Sequence, residues 1–193
     1  VAGERYYPAE LDVREPGALA QARQTLVDRW SAPNLIIVNA GLYRPDHATT
    51  EAVDWDELFD VSGRGVVETV RVFLPDLLAA ADAGRLADLV VIGAIPSESE
   101  HTDSTIFTAA AAAIGWFMSG LRARFQERGL RVSHVAPGYV DTARPQTISD
   151  TDTEPQPREA LRPSDFADII GFALDQPAEV SIGEMVLVST PSA

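Results

Sequence analysis

Glu98, Glu100, His101 and Asp103 fall within the seven-residue stretch SESEHTD at 97–103. Carboxylates and imidazole both move protons near neutral pH and ligate divalent cations, so this group could serve as an acid/base cluster or a weak metal site. The same composition also describes an ordinary solvated loop, which is the plainer reading. His134 lies on an apolar segment between Val132 and Val135, where it reads as a satisfied core or interface histidine rather than a catalyst. Ser62 stands beside Gly63 and Gly65 and reads as part of a helix bend more than as a hydrogen-bonding site. Asn39, at the end of an apolar run, is suited to holding the strand end through backbone hydrogen bonds. Tyr139 follows Ala-Pro-Gly as a pocket or packing residue. Arg144 and Arg158, in a polar stretch, could meet an acidic ligand.

Other chemistries are excluded by composition. All 15 basic residues are arginine, so no lysine-dependent mechanism is available in this chain. There is no cysteine, which removes disulfides, thiolate zinc sites and thiol nucleophiles together and fits a reducing, cytoplasmic location. A formal net charge of −14 disfavours nucleic acid and anionic membranes, whose recognition depends on clustered cations. No uninterrupted apolar run approaches the ~18 residues of a membrane span, and VAGERYYPAE lacks the pattern of a secretion signal. At 193 residues, one domain over 1–193 is expected.

The elements that must position these side chains are readable from periodicity. AELDV (9–13) reads as a short strand, and the segment after it as a helix with Leu19, Ala22, Leu26 and Trp30 at helical spacing. NLIIVNAG (34–41), DLVVIGAI (88–95) and LRVSHVAPG (130–138) read as parallel strands covered on both faces. A long helical pattern runs from 51 to 83, with Pro75 placed to kink or divide it. A second helix over 104–128 puts Phe107, Ala111, Ile114, Met118, Leu121 and Phe125 on one face. Residues 143–162 are polar and proline-rich, a length of connection that suggests a flap. Pro163 opens a further helix, and EMVLVST after Gly183 a last strand. Alternating strands and helices imply an α/β fold with a mostly parallel sheet.

The pieces LDV (11–13), VNAG (38–41), DVSGRGVVETVRVFLPDLL (60–78), RVSHVAPGYVDT (131–142), RPSDFADIIGFALD (162–175) and GEMVLV (183–188) occur in an order and spacing that resemble the short-chain dehydrogenase/reductase family. The resemblance implies a Rossmann-like three-layer fold that binds NAD(P), and hydride transfer assisted by Ser, Tyr, Lys and Asn. In that family a tyrosine phenol exchanges a proton with the substrate oxygen. Lysine favours its phenolate and holds the nicotinamide ribose. Carried onto this chain, the asparagine falls on Ser62, the serine on Ala94, the tyrosine on Phe107 and the lysine on Ala111. All are replaced, and without lysine no shift of register restores the set.

The family's glycine-rich turn is also missing, together with the βαβ part around it. Of the cofactor-associated landmarks, Asp12, Val13, Asn39, Ala40, Gly41, Pro137 and Gly138 remain as vestiges. Either the chain is a fragment of a longer protein, or the sheet is shorter and the strand near Leu11 moves beside LIIVNA to cover its edge. The expectation is a non-reductase family member without a cofactor of its own, NAD(P) returning only with an upstream glycine-rich segment. It would act through a homo-oligomer, or a hetero-oligomer with an active relative, built on the helices over 51–80 and 104–127. The alternatives are an oxidoreductase represented in part, or an enzyme using a reshaped pocket for non-redox chemistry.

Overall fold

The computed structural model describes residues 6–15, 17–44, 55–95, 104–141 and 160–190. In chain order these form α1 (Ala18–Arg29), β1 (Leu35–Val38), α2 (Trp55–Phe59), a π-helical segment (Asp60–Gly65) and α3 (Val66–Asp82). There follow β2 (Ala87–Ile92), α4 (Thr105–Phe125) with a 3-10 turn (Gln126–Arg128), β3 (Leu130–Pro137), α5 (Pro163–Leu174) and β4 (Glu184–Leu187). The four strands pair in the order β1-β2-β3-β4, every pair parallel. This is the α/β architecture that the alternation of patterns implied.

Side-chain alternation assigns the layers. Ala87, Leu89, Val91, Leu130 and Val132 point to one face, where Val70 and Leu77 of α3 and Ile114 and Met118 of α4 complete a buried core. Each fully buried aliphatic side chain there contributes about 1.5–3 kcal/mol of burial. The opposite face carries Asp88 and Arg131, paired across the β2–β3 ladder at 2.7 and 2.9 Å. Arg131 continues to the carbonyls of Leu174 (3.0 Å) and Gln176 (2.8 Å), so one guanidinium joins two strands to the carboxyl end of α5. A cation at a helix carboxyl end also meets the negative pole of its dipole. On the core side, Arg23 of α1 grips the buried Asp76 of α3 through both carboxylate oxygens, docking the first helix.

Three expectations are corrected. Residues 9–13 form no strand: Val13–Glu15 make a turn closed by Glu15 N–H donating to the Asp12 carbonyl at 3.1 Å. The aspartate side chain competes for the backbone there, accepting from Arg14 N–H at 2.9 Å. Consequently no strand from 9–13 covers β1, which stands at the sheet edge. β1 is also not covered on both faces, since Leu35 and Ile37 are 38% and 44% exposed on the side opposite α3. Finally, Pro75 does not divide its helix. α3 runs through it, and the irregularity lies upstream at Asp60–Gly65, where Gly65 meets the Val13 side chain so closely that a β-carbon would overlap it.

Among the described residues, α4 is long and apolar enough to cross a membrane by length and mean hydropathy, although it contains no unbroken apolar run of that length. It lies along the sheet, burying Ala110, Ala111, Ile114 and Met118. The 104–128 reading of this helix therefore holds, including its core face.

Candidate functional site

Parallel strands end together, and their carboxyl ends leave a crevice where the following loops diverge. Here a cavity of about 200 Å³ opens beyond β1 and β2. Asn39, Ala40 and Gly41 leave β1 along one side, and Ile92, Gly93 and Ala94 leave β2 along another. The π-helical segment brings Ser62, α3 brings Val66, and the first turns of α4 bring Phe107, Ala111 and Ile114. Thus Ser62, Ala94, Phe107 and Ala111, far apart in the chain, share one cavity with Asn39, Ala40 and Gly41. Asp12, Val13, Pro137 and Gly138 do not line it.

Among the described residues the cavity wall is mostly apolar, with Asn39, Tyr43 and Ser62 as its polar side chains. Tyr43, which sequence reasoning passed over, sets its ring edge-on to Phe107, with centroids 5.2 Å apart and planes at 87°. Its place two residues beyond VNAG, in the loop leaving a parallel strand, was the available signal. Ser62 brings a second hydroxyl to the wall in addition to that of Tyr43, and its proton is committed: Oγ donates to the Leu42 carbonyl at 2.9 Å and accepts the Leu42 N–H at 2.9 Å. Both readings of Ser62 are therefore too narrow, because the residue sits in a helix irregularity and also clamps a loop backbone. Asn39 is exposed at the rim with no hydrogen bond shown for its side chain, so it does not hold the strand end as expected. At the opposite, amino end of β1 the Asn34 amide donates to the Leu86 carbonyl at 2.9 Å.

The remaining candidates are occupied elsewhere. Asp12 is clasped by Arg14, whose hydrogen bonds hold its carboxyl down at about 2. Arg14 also reaches Glu57 at 2.9 Å, and Arg44 reaches the other oxygen of Glu57 at 2.8 Å. Gly138 donates to the Leu187 carbonyl at 2.7 Å and Pro137 accepts from Ile95 at 3.1 Å, tying the end of β3 to its neighbours. Tyr139 sits outside the cavity, where its carbonyl accepts from Leu161 N–H at 3.0 Å. Glu98, Glu100, His101, Asp103, Arg144 and Arg158 lie outside the described residues, as does most of the 143–162 stretch. Among the described residues no group of acidic and imidazole side chains could hold a metal ion.

His134 is buried as expected but not satisfied. Its ring is 1% exposed, fitted between Gly93 and Gly115, and a β-carbon at Gly93 would overlap it. Neither ring nitrogen has a hydrogen-bond partner among the described residues, and Nδ1 stands 3.5 Å from a Glu184 oxygen. Burial pushes the imidazole below its ordinary pKa, with Glu184 opposing in part.

A family model described as short chain dehydrogenase matches residues 1–153. An uncharacterised oxidoreductase of Staphylococcus aureus (strain MRSA252) is 31% identical over 155 residues, which is 80% of this chain and 63% of that protein. The chain thus spans less than two thirds of that relative's length. Sulfoacetaldehyde reductase 2 of Chromohalobacter salexigens is 28% identical over 201 residues, 98% of this chain and 77% of its own. The closed form of serine dehydrogenase complexed with NADP+ superposes with a TM-score of 0.75 at 22% identity, covering 94% of this chain and 75% of that one. The sequence landmarks, the all-parallel sheet and the extent of the family match converge, and the chain belongs to the short-chain dehydrogenase/reductase family.

Proposed function

We propose that this chain is a non-reductase member of its family that acts through assembly with a second copy or with an active relative. The observation that carries the reading is the cavity wall itself. At the positions onto which the resemblance carries the family's proton donor, its cation and its substrate-binding hydroxyl, the wall has the Phe107 ring and the methyl groups of Ala111 and Ala94. A benzyl ring has no exchangeable proton, and a methyl group cannot stabilise a phenolate or an alkoxide. Of the two side-chain hydroxyls among the described lining residues, that of Ser62 already gives its proton to a backbone carbonyl, and the other is the Tyr43 phenol, which lies outside the family's catalytic positions.

The same residues do not fit the nicotinamide half of a dinucleotide. Ribose hydroxyls need donors and acceptors, and the wall at Ala111 and Phe107 supplies none. Asp12, a landmark of cofactor contact in relatives, is engaged by Arg14 at 2.7–3.1 Å. Assembly is supported by what the helices expose: Trp116 of α4 is 80% exposed, and Trp55 and Phe59 of the adjoining α2 are each 45% exposed.

The second reading, a nicotinamide-dependent oxidoreductase, is favoured by the greater length of the relatives and by the NADP+ bound in serine dehydrogenase. Incubation of the protein with NADPH or NADH and a panel of aldehydes and ketones separates the two. No turnover above the uncatalysed rate and no quench of tryptophan fluorescence are expected. Sustained cofactor oxidation that depends on the carbonyl would establish the second reading instead.

A further inference from the structure

We propose that the cavity beyond β1 and β2 binds a small uncharged aromatic molecule of one or two rings. The inference rests on the reading that this cavity has no proton-transfer machinery, and it adds what the space is suited to hold.

Size sets the scale. An apolar cavity of about 150 Å³ accommodates benzene, and this one is about 200 Å³. The space exists because Ala94 and Ala111 end at their β-carbons, while a β-carbon added at Gly41 would meet nothing within 4 Å. Val66, Ile92 and Ile114 supply aliphatic contacts. Tyr43 and Phe107, already crossed at 87°, offer one ring face and one ring edge, the two surfaces against which a third ring packs.

Charge excludes the other classes. Among the described residues no arginine lines the cavity, and Arg14 and Arg44 are both committed to Glu57. A carboxylate or phosphate would lose its hydration without finding a cation, in a protein of net charge −14. An ammonium group would likewise meet no carboxylate among the described residues of the wall. With Ser62 satisfied by Leu42, the other polar side chains among the described lining residues are Tyr43 and Asn39, and Asn39 at the rim is suited to one hydroxyl or carbonyl on the outer edge of the ring.

Benzyl alcohol, benzoate and benzylamine share a ring size and differ in charge. Titrated separately into the full chain, with calorimetry and amide chemical shifts as readouts, benzyl alcohol should saturate and shift the amides of Gly93, Ala94 and Ala111. The charged pair should bind at least about tenfold more weakly. Ala111→Leu should abolish alcohol binding by filling the space. Because added bulk can also disturb folding, Phe107→Ala provides a second variant, expected to weaken benzyl alcohol about tenfold with an unchanged circular dichroism spectrum. Equal binding of the three compounds, or alcohol shifts that avoid the cavity amides, overturns the inference. Carbonyl-dependent NADPH oxidation would instead overturn the non-reductase reading, and it is measured without any ring compound present.

Discussion

His134 shows how one residue can shape its neighbourhood. Its ring occupies the space left by Gly93 and lies beside Gly115, so the glycine that follows β2 is a consequence of a histidine on β3, whereas a β-carbon at Gly115 would make ordinary contact at 3.5 Å. The imidazole folds uncharged, because burial lowers its pKa from the ordinary 6.5. The unfolded chain therefore takes up the proton first as pH falls. Stability contributed by this group is full above about pH 6.5 and declines as pH drops towards the folded pKa, with a limiting slope of about 1.4 kcal/mol per pH unit. Urea midpoints measured at pH 7.5, 6.5 and 5.5 should fall more steeply for the parent than for His134→Asn. Equal slopes for the two proteins would show that the ring does not titrate with unfolding.

At the scale of elements, the molecule is joined by arginines in place of lysines, and geometry explains why this suffices. A guanidinium fork can serve a carboxylate and several carbonyls at once. Arg131 does so, with its side chain 5% exposed against an 11% exposed Asp88, linking β2, β3 and the end of α5. Arg131→Met leaves the Asp88 carboxylate buried and alone and frees the α5 carbonyls, and should cost about 3–5 kcal/mol in denaturant unfolding. Asp88→Leu combined with Arg131→Met should recover much of that loss, since an apolar pair requires no compensation. A double variant no more stable than Arg131→Met alone would place the cost in α5 rather than in the stranded carboxylate. Arg23 with Asp76 performs a comparable task between α1 and α3, with the hydrogen bond to Asp76 raising the Arg23 pKa.

For the whole molecule, the question is which surfaces stay apolar. Large exposed apolar patches mark interaction sites more often than single exposed residues do. Trp55, Phe59 and Trp116 lie on helices that pack against one another, while Leu35 and Ile37 lie on the open side of β1. Under the assembly reading, Trp116→Glu should lower the solution molar mass measured by light scattering, with the monomeric circular dichroism spectrum retained. The parent should associate more strongly as salt rises, because screening reduces the repulsion between chains of charge −14. An unaltered mass for Trp116→Glu would remove this helix from the interface.

Periodicity and residue type were enough for the α/β alternation and the core face of α4. These are local properties: an apolar repeat, a capping proline. The 9–13 segment was misread because its hydrophobic pattern competes with the Asp12 side chain, and the turn is decided by the Arg14 and Glu57 partners that only the fold supplies. The position of Tyr43 after VNAG places it near the strand end, but its contact with Phe107 is not readable from the sequence, because the two lie 64 positions apart in the chain and 5.2 Å apart in space. Ser62 and His134 follow the same rule. Whether a hydroxyl is free or spent, and whether a buried imidazole is satisfied, depends on which backbone and which glycine arrive beside it, and tertiary packing alone fixes that.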